Sequence, residues 1–138
     1  MAKAEAKKSQ ESFFTGTFSS FSVDDIEEAR EFYGNTLGVD VTDNEEGGLE
    51  LNFPNSGSVF IYPKDNHEPA TFTVLNFLVD DIDEAVDDLT NRGITFESYD
   101  GEMETDEKGI FRGADDDNGP NIAWFKDPAG NFVSVIEN

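Results

Sequence analysis

Phe21-Ser-Val-Asp-Asp-Ile-Glu-Glu-Ala29 recurs 56 residues later as Phe77-Leu-Val-Asp-Asp-Ile-Asp-Glu-Ala85, with seven of nine positions identical. The match continues more weakly, Asn35 aligning with Asn91 and, after a one-residue slip, Gly38 with Gly93. Two copies in 138 residues denote a duplication inside one domain, since a stacked repeat array needs at least about three units to bury a continuous core.

Each copy reads alike. An extended apolar stretch (residues 15–23, then 71–79) runs into Asp-Asp, and a helical pattern follows. Asp24 or Asp25, and Asp80 or Asp81, can accept the free amides of the first helical turn. Ile26, Ala29, Phe32, Tyr33 and Leu37 fall on one helical face, as do Ile82, Ala85, Val86 and Leu89 in the second copy. Gly38 and Gly93 stand where left-handed caps would end the helices. Strand candidates follow at 39–42, 49–53 and 59–62, then at 95–99, 110–113 together with 121–125, and 132–136. Asp127-Pro-Ala-Gly130 is a turn between the last two. The reading is an α+β fold of tandem β-α-β-β-β modules, one over about 13–65 and one over about 70–137. Both fall in a single domain spanning 13–137, behind a mobile N-terminal tail at 1–12.

Composition sets the outer limits. Hydrophobic residues make up 36%, which is lean, yet 13 Phe are present and each can bury on the order of 150–250 Å². The longest apolar runs are only a few residues, so neither a membrane span nor a secretory signal is expected. The absence of Cys excludes a disulfide framework, a thiolate zinc site and thiol catalysis. A single imidazole, His67, excludes a metal centre that needs two or three from one chain. Cytoplasm is the default compartment.

Charge excludes whole classes of partner. The 31 acids and 9 bases give −22, and setting aside residues 1–8 leaves 30 acids, 6 bases and −24. A phosphate-backbone binder needs clustered Lys and Arg to release counterions, so nucleic acid is not a partner here. Anionic membrane surfaces are disfavoured for the same reason. The acids are spread along the chain, which favours a halophilic type of acidic surface over an acidic site for a cationic ligand. Asp115-Asp-Asp-Asn118 and Asp43-Asn-Glu-Glu-Gly47 lack the ligand spacing of a calcium loop and read as solvated acidic turns.

A tandem β-α-β-β-β pair, with Val-Asp-Asp-Ile opening each helix and Asp-Pro-x-Gly before the last strand, resembles the vicinal oxygen chelate superfamily. That group includes glyoxalase I, extradiol dioxygenases and bleomycin-resistance proteins. The matching segments are 18–39, 71–96 and 122–136, and Trp124-Phe-Lys-Asp-Pro-Ala-Gly-Asn-Phe-Val-Ser-Val-Ile-Glu137 is the most specific piece. The resemblance implies a curved eight-stranded mixed sheet around a cavity, with helices outside. It also implies four metal-ligand positions, which here fall on Phe18, Val74, Ser134 and about Phe60. That set suits no divalent cation, so the resemblance points to the metal-free branch, without a cofactor. The implied function is a small-molecule binding protein with an aromatic pocket, commonly a homodimer in such proteins. The alternative is a lyase or dioxygenase-like enzyme working with unusual metal ligands or with none, so enzymatic activity is left open.

Strand alternation then names candidates. If Phe18 faces the cavity, Ser20 and Ser22 do too, while Phe21 and Val23 pack under the helices. The same logic turns Val74, Asn76 and Leu78 inward, with Phe132, Ser134 and Ile136 on the last strand and Phe60 and Tyr62 on the fourth. The candidate binding residues are Phe18, Ser20, Phe60, Tyr62, Asn76 and Ser134, joined by Trp124, which the resemblance puts at an often aromatic position, as a pocket wall, a dimer-interface anchor or plain core packing. His67 and Phe111 are further possibilities, the latter from a Gly- and acid-rich 100–121 segment that could cover the pocket. Lys126 and Arg112 could each meet an anionic group or pair with neighbouring carboxylates.

Overall fold

The repeat folds as two copies of one topology. The computed structural model describes residues 13–137, so the tail expected over 1–12 lies outside the described residues. In the first copy β1 (Ser19–Val23) leads into α1 (Ile26–Arg30), which widens into a π-helical turn (Glu31–Thr36). Then follow β2 (Asp40–Asp43), β3 (Leu49–Asn52) and β4 (Val59–Pro63). The second copy runs β5 (Thr73–Val79), α2 (Ile82–Asn91), β6 (Ile110–Arg112), β7 (Asn121–Lys126) and β8 (Phe132–Glu137). The strand orders are β1-β4-β3-β2 and β5-β8-β7-β6. In each sheet the first strand pairs in parallel with the last, and the other pairs are antiparallel. The eight strands are thus divided into two four-stranded mixed sheets, sheet A and sheet B, of equivalent topology. Among the described residues no helix is long and apolar enough to cross a membrane.

The second aspartate of each pair caps its helix. Asp25 accepts from the amides of Glu27 and Glu28, and Asp81 from that of Glu84. Gly38 and Gly93 take φ of 77° and 97° after the helices, a region where a Cβ is strained. The apolar helical faces bury where the periodicity puts them. Ala29 and Tyr33 join Phe21, Val23, Leu49, Leu51 and Ile61 in one core, while Ile82 and Val86 join Ile110, Ala123, Phe125, Val133 and Val135 in the other. Phe32, Leu37, Leu75 and Phe77 touch both cores.

One strand expectation is corrected. Residues 95–99 make no strand: only Phe96 forms a bridge, to Phe125, supported by the Glu97 amide donating to the Trp124 carbonyl at 2.8 Å. The outer lane of sheet B is shared, since β6 pairs with the other end of the same neighbour, Ile110 opposite Ala123 and Arg112 opposite Asn121. Residues 98–109 are an excursion inserted between the two halves of that lane. They carry a short 3₁₀ turn (Gly101–Met103), and Thr105 bridges back to Phe111.

Candidate functional site

Alternation leaves each sheet with one face away from the helices. On β7, Ala123 and Phe125 enter the core, so Ile122, Trp124 and Lys126 stand on the other face. On β8, Val133 and Val135 enter the core and Phe132, Ser134 and Ile136 oppose them. On β5, Leu75, Phe77 and Val79 pack inward, and Asn76 and Leu78 are exposed. The register sets Asn76 beside Ser134 and Ser134 beside Trp124, one row across three strands. The buried Ser134 hydroxyl donates to Asn76 Oδ1 at 2.5 Å, which leaves the Asn76 amide nitrogen free to donate from the exposed face.

Trp124 is the floor of an aromatic recess of about 250 Å³, walled by Phe72, Tyr99, Met103 and Phe132 with Thr71 and Thr73. Tyr99 meets the indole edge-on at 5.6 Å between ring centroids. Phe111, buried, supports it from β6 at 6.4 Å. Burial, and secondarily the charge of Glu97, raise the Tyr99 phenol above its ordinary value, so it is a neutral hydroxyl at physiological pH. A larger recess of about 460 Å³ lies between residues 53–59 and β5, with Asn76 and Leu78 on its wall. The smaller one is the better candidate, because four aromatic rings and a thioether converge there.

The first module presents a different face. Phe60 and Tyr62 on β4 stack at 5.8 Å with their planes 24° apart. Ser20 and Ser22 lie beside them on β1, register partners of Phe60 and Tyr62 respectively. Gly48 sits against this stack: a Cβ there would come within 2.4 Å of the Ile61 carbonyl and 2.6 Å of the Phe60 ring. Phe18 stands just before β1, 72% exposed. Of the seven candidates read from the sequence, Trp124, Ser134 and Asn76 form one row, and Ser20, Phe60 and Tyr62 form a group on the other sheet.

His67 ties the modules together. Its Nδ1 lies 2.6 Å from Ser22 Oγ and its Nε2 3.1 Å from the Ala129 carbonyl. A carbonyl only accepts, so Nε2 carries the proton and Nδ1 accepts from the serine. Close by, Asn131 Nδ2 donates to the Ser22 carbonyl at 2.9 Å. Both ring nitrogens are thus engaged in joining β1 to the Asp127–Gly130 turn.

The two basic candidates part company. Arg112 is taken up: its guanidinium bonds Asp83 at 2.7 and 2.9 Å and Asp106 at 3.0 Å. Lys108 adds a 3.0 Å pair to Asp83 and another to Asp87. Hydrogen bonds from Arg112 and then Lys108 hold the Asp83 carboxyl well below the usual carboxylate range. Lys126 instead sits over the Phe132 ring, 5.2 Å from its centroid.

The positions at which the resemblance implies metal ligands do not fit a cation. Phe18, Phe60 and Val74 offer hydrocarbon, and the one oxygen, Ser134 Oγ, is spent on Asn76. Among the described residues no three His, Asp or Glu side chains gather as a ligand group. Of the residues lining the recess only Trp124 is among the sequence candidates; Thr71, Phe72, Thr73, Tyr99, Met103 and Phe132 are not. Phe132 was placed on this face by alternation. Phe72 and Tyr99 lie at the ends of extended segments, where an aromatic next to a strand boundary was the only signal.

The family model described as the Glyoxalase/Bleomycin resistance protein/Dioxygenase superfamily matches residues 17–135. No curated protein matches the chain significantly. Among solved structures, a member of that superfamily from Sphaerobacter thermophilus DSM 20745 is 26% identical, with TM-score 0.63 over 89% of this chain and 98% of that one. A glyoxalase/bleomycin resistance protein from Streptomyces sp. CB03234 is 24% identical, with TM-score 0.59 over 87% and 97%. TnmS3, an antibiotic binding protein from the same organism, is 24% identical, with TM-score 0.60 over 88% and 95%.

Proposed function

Because the chain belongs to the Glyoxalase/Bleomycin resistance protein/Dioxygenase superfamily, we propose that it is a small-molecule binding protein that holds an aromatic compound against Trp124 without a protein-bound metal. The observation that carries this reading is the recess itself, where Phe72, Tyr99, Trp124 and Phe132 converge with Met103 around about 250 Å³. Ring-lined recesses of this kind bind flat apolar molecules by stacking and by burial of apolar area. The Tyr99 hydroxyl and the Thr71 and Thr73 side chains supply orienting polar groups, and residues 98–109 bring Met103 to the site as a partial cover. An antibiotic-binding relative of the same fold, TnmS3, is in keeping with sequestration rather than turnover.

The lack of any competent donor set at Phe18, Val74, Ser134 and Phe60 supports the metal-free reading. A homodimer of single 13–137 domains is part of the proposal, since among the described residues β1 and β5 each end their sheet with one edge unpaired and Leu78 on β5 is 67% exposed. The acidic surface accords with a halophilic cytoplasm. The test is a screen of small aromatic molecules by thermal shift and by quenching of tryptophan emission, Trp124 being the one Trp of the chain. Hits that quench Trp124 and raise the melting temperature, and that Trp124→Ala abolishes, support the reading. Hits indifferent to Trp124→Ala overturn it.

A further inference from the structure

We propose that the aromatic recess selects anionic aromatic ligands, a flat ring system bearing a carboxylate, sulfonate or phenolate, and that Lys126 is the residue that selects them. The inference rests on the reading of the recess as a binding site and adds the charge of its occupant. A net charge of −22 makes a cationic ligand the natural guess. The local arrangement says otherwise.

The few bases outside the tail are mostly spent on acceptors. Arg30 pairs with Glu27 and Asp43, Arg92 with Asp88, Lys108 with Asp83 and Asp87, and Arg112 with Asp83 and Asp106. Lys64 donates to the Asn66 side chain at 2.8 Å. Among the described residues, Lys126 alone of these six has neither a carboxylate nor an amide oxygen at its ammonium. Its partner is the face of Phe132, 5.2 Å from the centroid. In a protein with more than three acids per base, a lysine left without a carboxylate is not accounted for by surface charge balance.

Its position is defined as well. Lys126 is two residues from Trp124 on β7 and so shares its face, and its register partner on β8 is Phe132. Phe132 and Trp124 both line the recess. The cation–π contact therefore holds the ammonium beside a wall of the recess, with its three N–H donors unspent on any acceptor among the described residues. A ring stacked on Trp124 that carries an anionic substituent toward β8 would find there a positive charge that no carboxylate among the described residues compensates. A cationic substituent would meet it as repulsion at close range.

Two probes with the same ring skeleton test this: 8-anilinonaphthalene-1-sulfonate, which is anionic, and N-phenyl-1-naphthylamine, which lacks the sulfonate. Binding is followed by quenching of Trp124 at about 0.15 M salt, where a Debye length of ~8 Å screens distant carboxylates but not the rim contact. The sulfonate should bind about tenfold tighter than the neutral probe, as one charge-assisted contact allows. Lys126→Gln should erase that preference, read as the ratio of the two probes' affinities in the same variant. Lys126→Arg should restore it, and Lys64→Gln, outside the recess, should not alter it. Equal binding of the two probes, or a preference that survives Lys126→Gln, overturns the inference and leaves the recess reading standing. If neither probe quenches Trp124, the recess reading fails and the inference with it.

Discussion

The Tyr33 hydroxyl donates to Asp127 Oδ2 at 2.8 Å, joining the helix of the first module to the turn before the last strand of the second across 94 residues of chain. Both side chains are buried. Asp127 also accepts the amides of Ala129 and Asn131 and the Asn131 side chain, so its carboxylate is held by several donors. Asn131 passes the link on to the Ser22 carbonyl. Two modules that could in principle slide past one another are locked by a buried polar cluster.

Removing the phenol should therefore cost stability out of proportion to one atom. Tyr33→Phe leaves a buried carboxylate oxygen short of a donor, and the expected loss is about 1–3 kcal/mol by urea unfolding.

The same residue sets an alkaline limit. Burial first, then the Asp127 charge and hydrogen bond, push the Tyr33 phenol well above its usual value. The folded state thus keeps a proton that the unfolded state releases above about pH 10. Stability from this group is complete below that pH and falls as pH rises toward the folded value. Tyr33→Phe should flatten that alkaline decline in a series of melts.

Asp83 acts at the opposite end of the scale. Its carboxyl, held low by Arg112 and Lys108, contributes stability that is present above about pH 4 and lost as pH falls below it. Asp83→Asn should be the less stable protein at pH 7, and the gap between it and the wild type should close in acid. The difference between the two is the quantity to measure, because protonating the many other carboxylates changes both proteins alike.

Salt should stabilise the protein. Its net charge of −22 is self-repulsive, and shortening the Debye length from ~10 Å at 0.1 M to ~3 Å at 1 M relieves that repulsion. A melting temperature that is flat or falling across this range in KCl would remove the halophilic reading.

Phe18→His should not create a metal site. Phe18 is 72% exposed, and of the other positions Val74 and Phe60 carry no donor atom and the Ser134 hydroxyl is already bonded to Asn76. Elemental analysis after incubation with zinc, nickel or manganese and dialysis is expected to show no stoichiometric metal. A stoichiometric ion in the wild type would overturn the metal-free reading.

The architecture was legible in the sequence because the repeat and the apolar periodicity are local signals. The FxVDDI segments announce strand, cap and helix in order, and Ala29, Tyr33, Ile82 and Val86 bury where spacing puts them. The choice of Asp25 and Asp81 over their neighbours was not legible, since either aspartate can cap until the strand fixes the direction of entry. Residues 95–99 carry strand-like alternation, but their pairing lane is completed by residues 110–112, a non-local outcome. Alternation puts Ser134 and Asn76 on the row that Trp124 shares, while Trp124 itself is named only by the aromatic position that the resemblance implies. Tyr99 and Met103 come from an excursion with no period, and the contrast between Arg112 and Lys126 depends on which carboxylates the fold brings near.

The interrupted outer lane of sheet B has a consequence for how such a protein can change. Phe96 and β6 anchor both ends of the excursion to β7, and Thr105 and Asp106 fasten its return to Phe111 and Arg112, so the part whose length and composition can vary without disturbing the register is residues 99–104. That segment carries Tyr99 and Met103 into the recess. Insertions or substitutions there would remodel the ligand-facing wall while the framework keeps its pairing. The second module is in this sense a constant scaffold with one variable loop, and new binding specificities are accessible to it without refolding the domain.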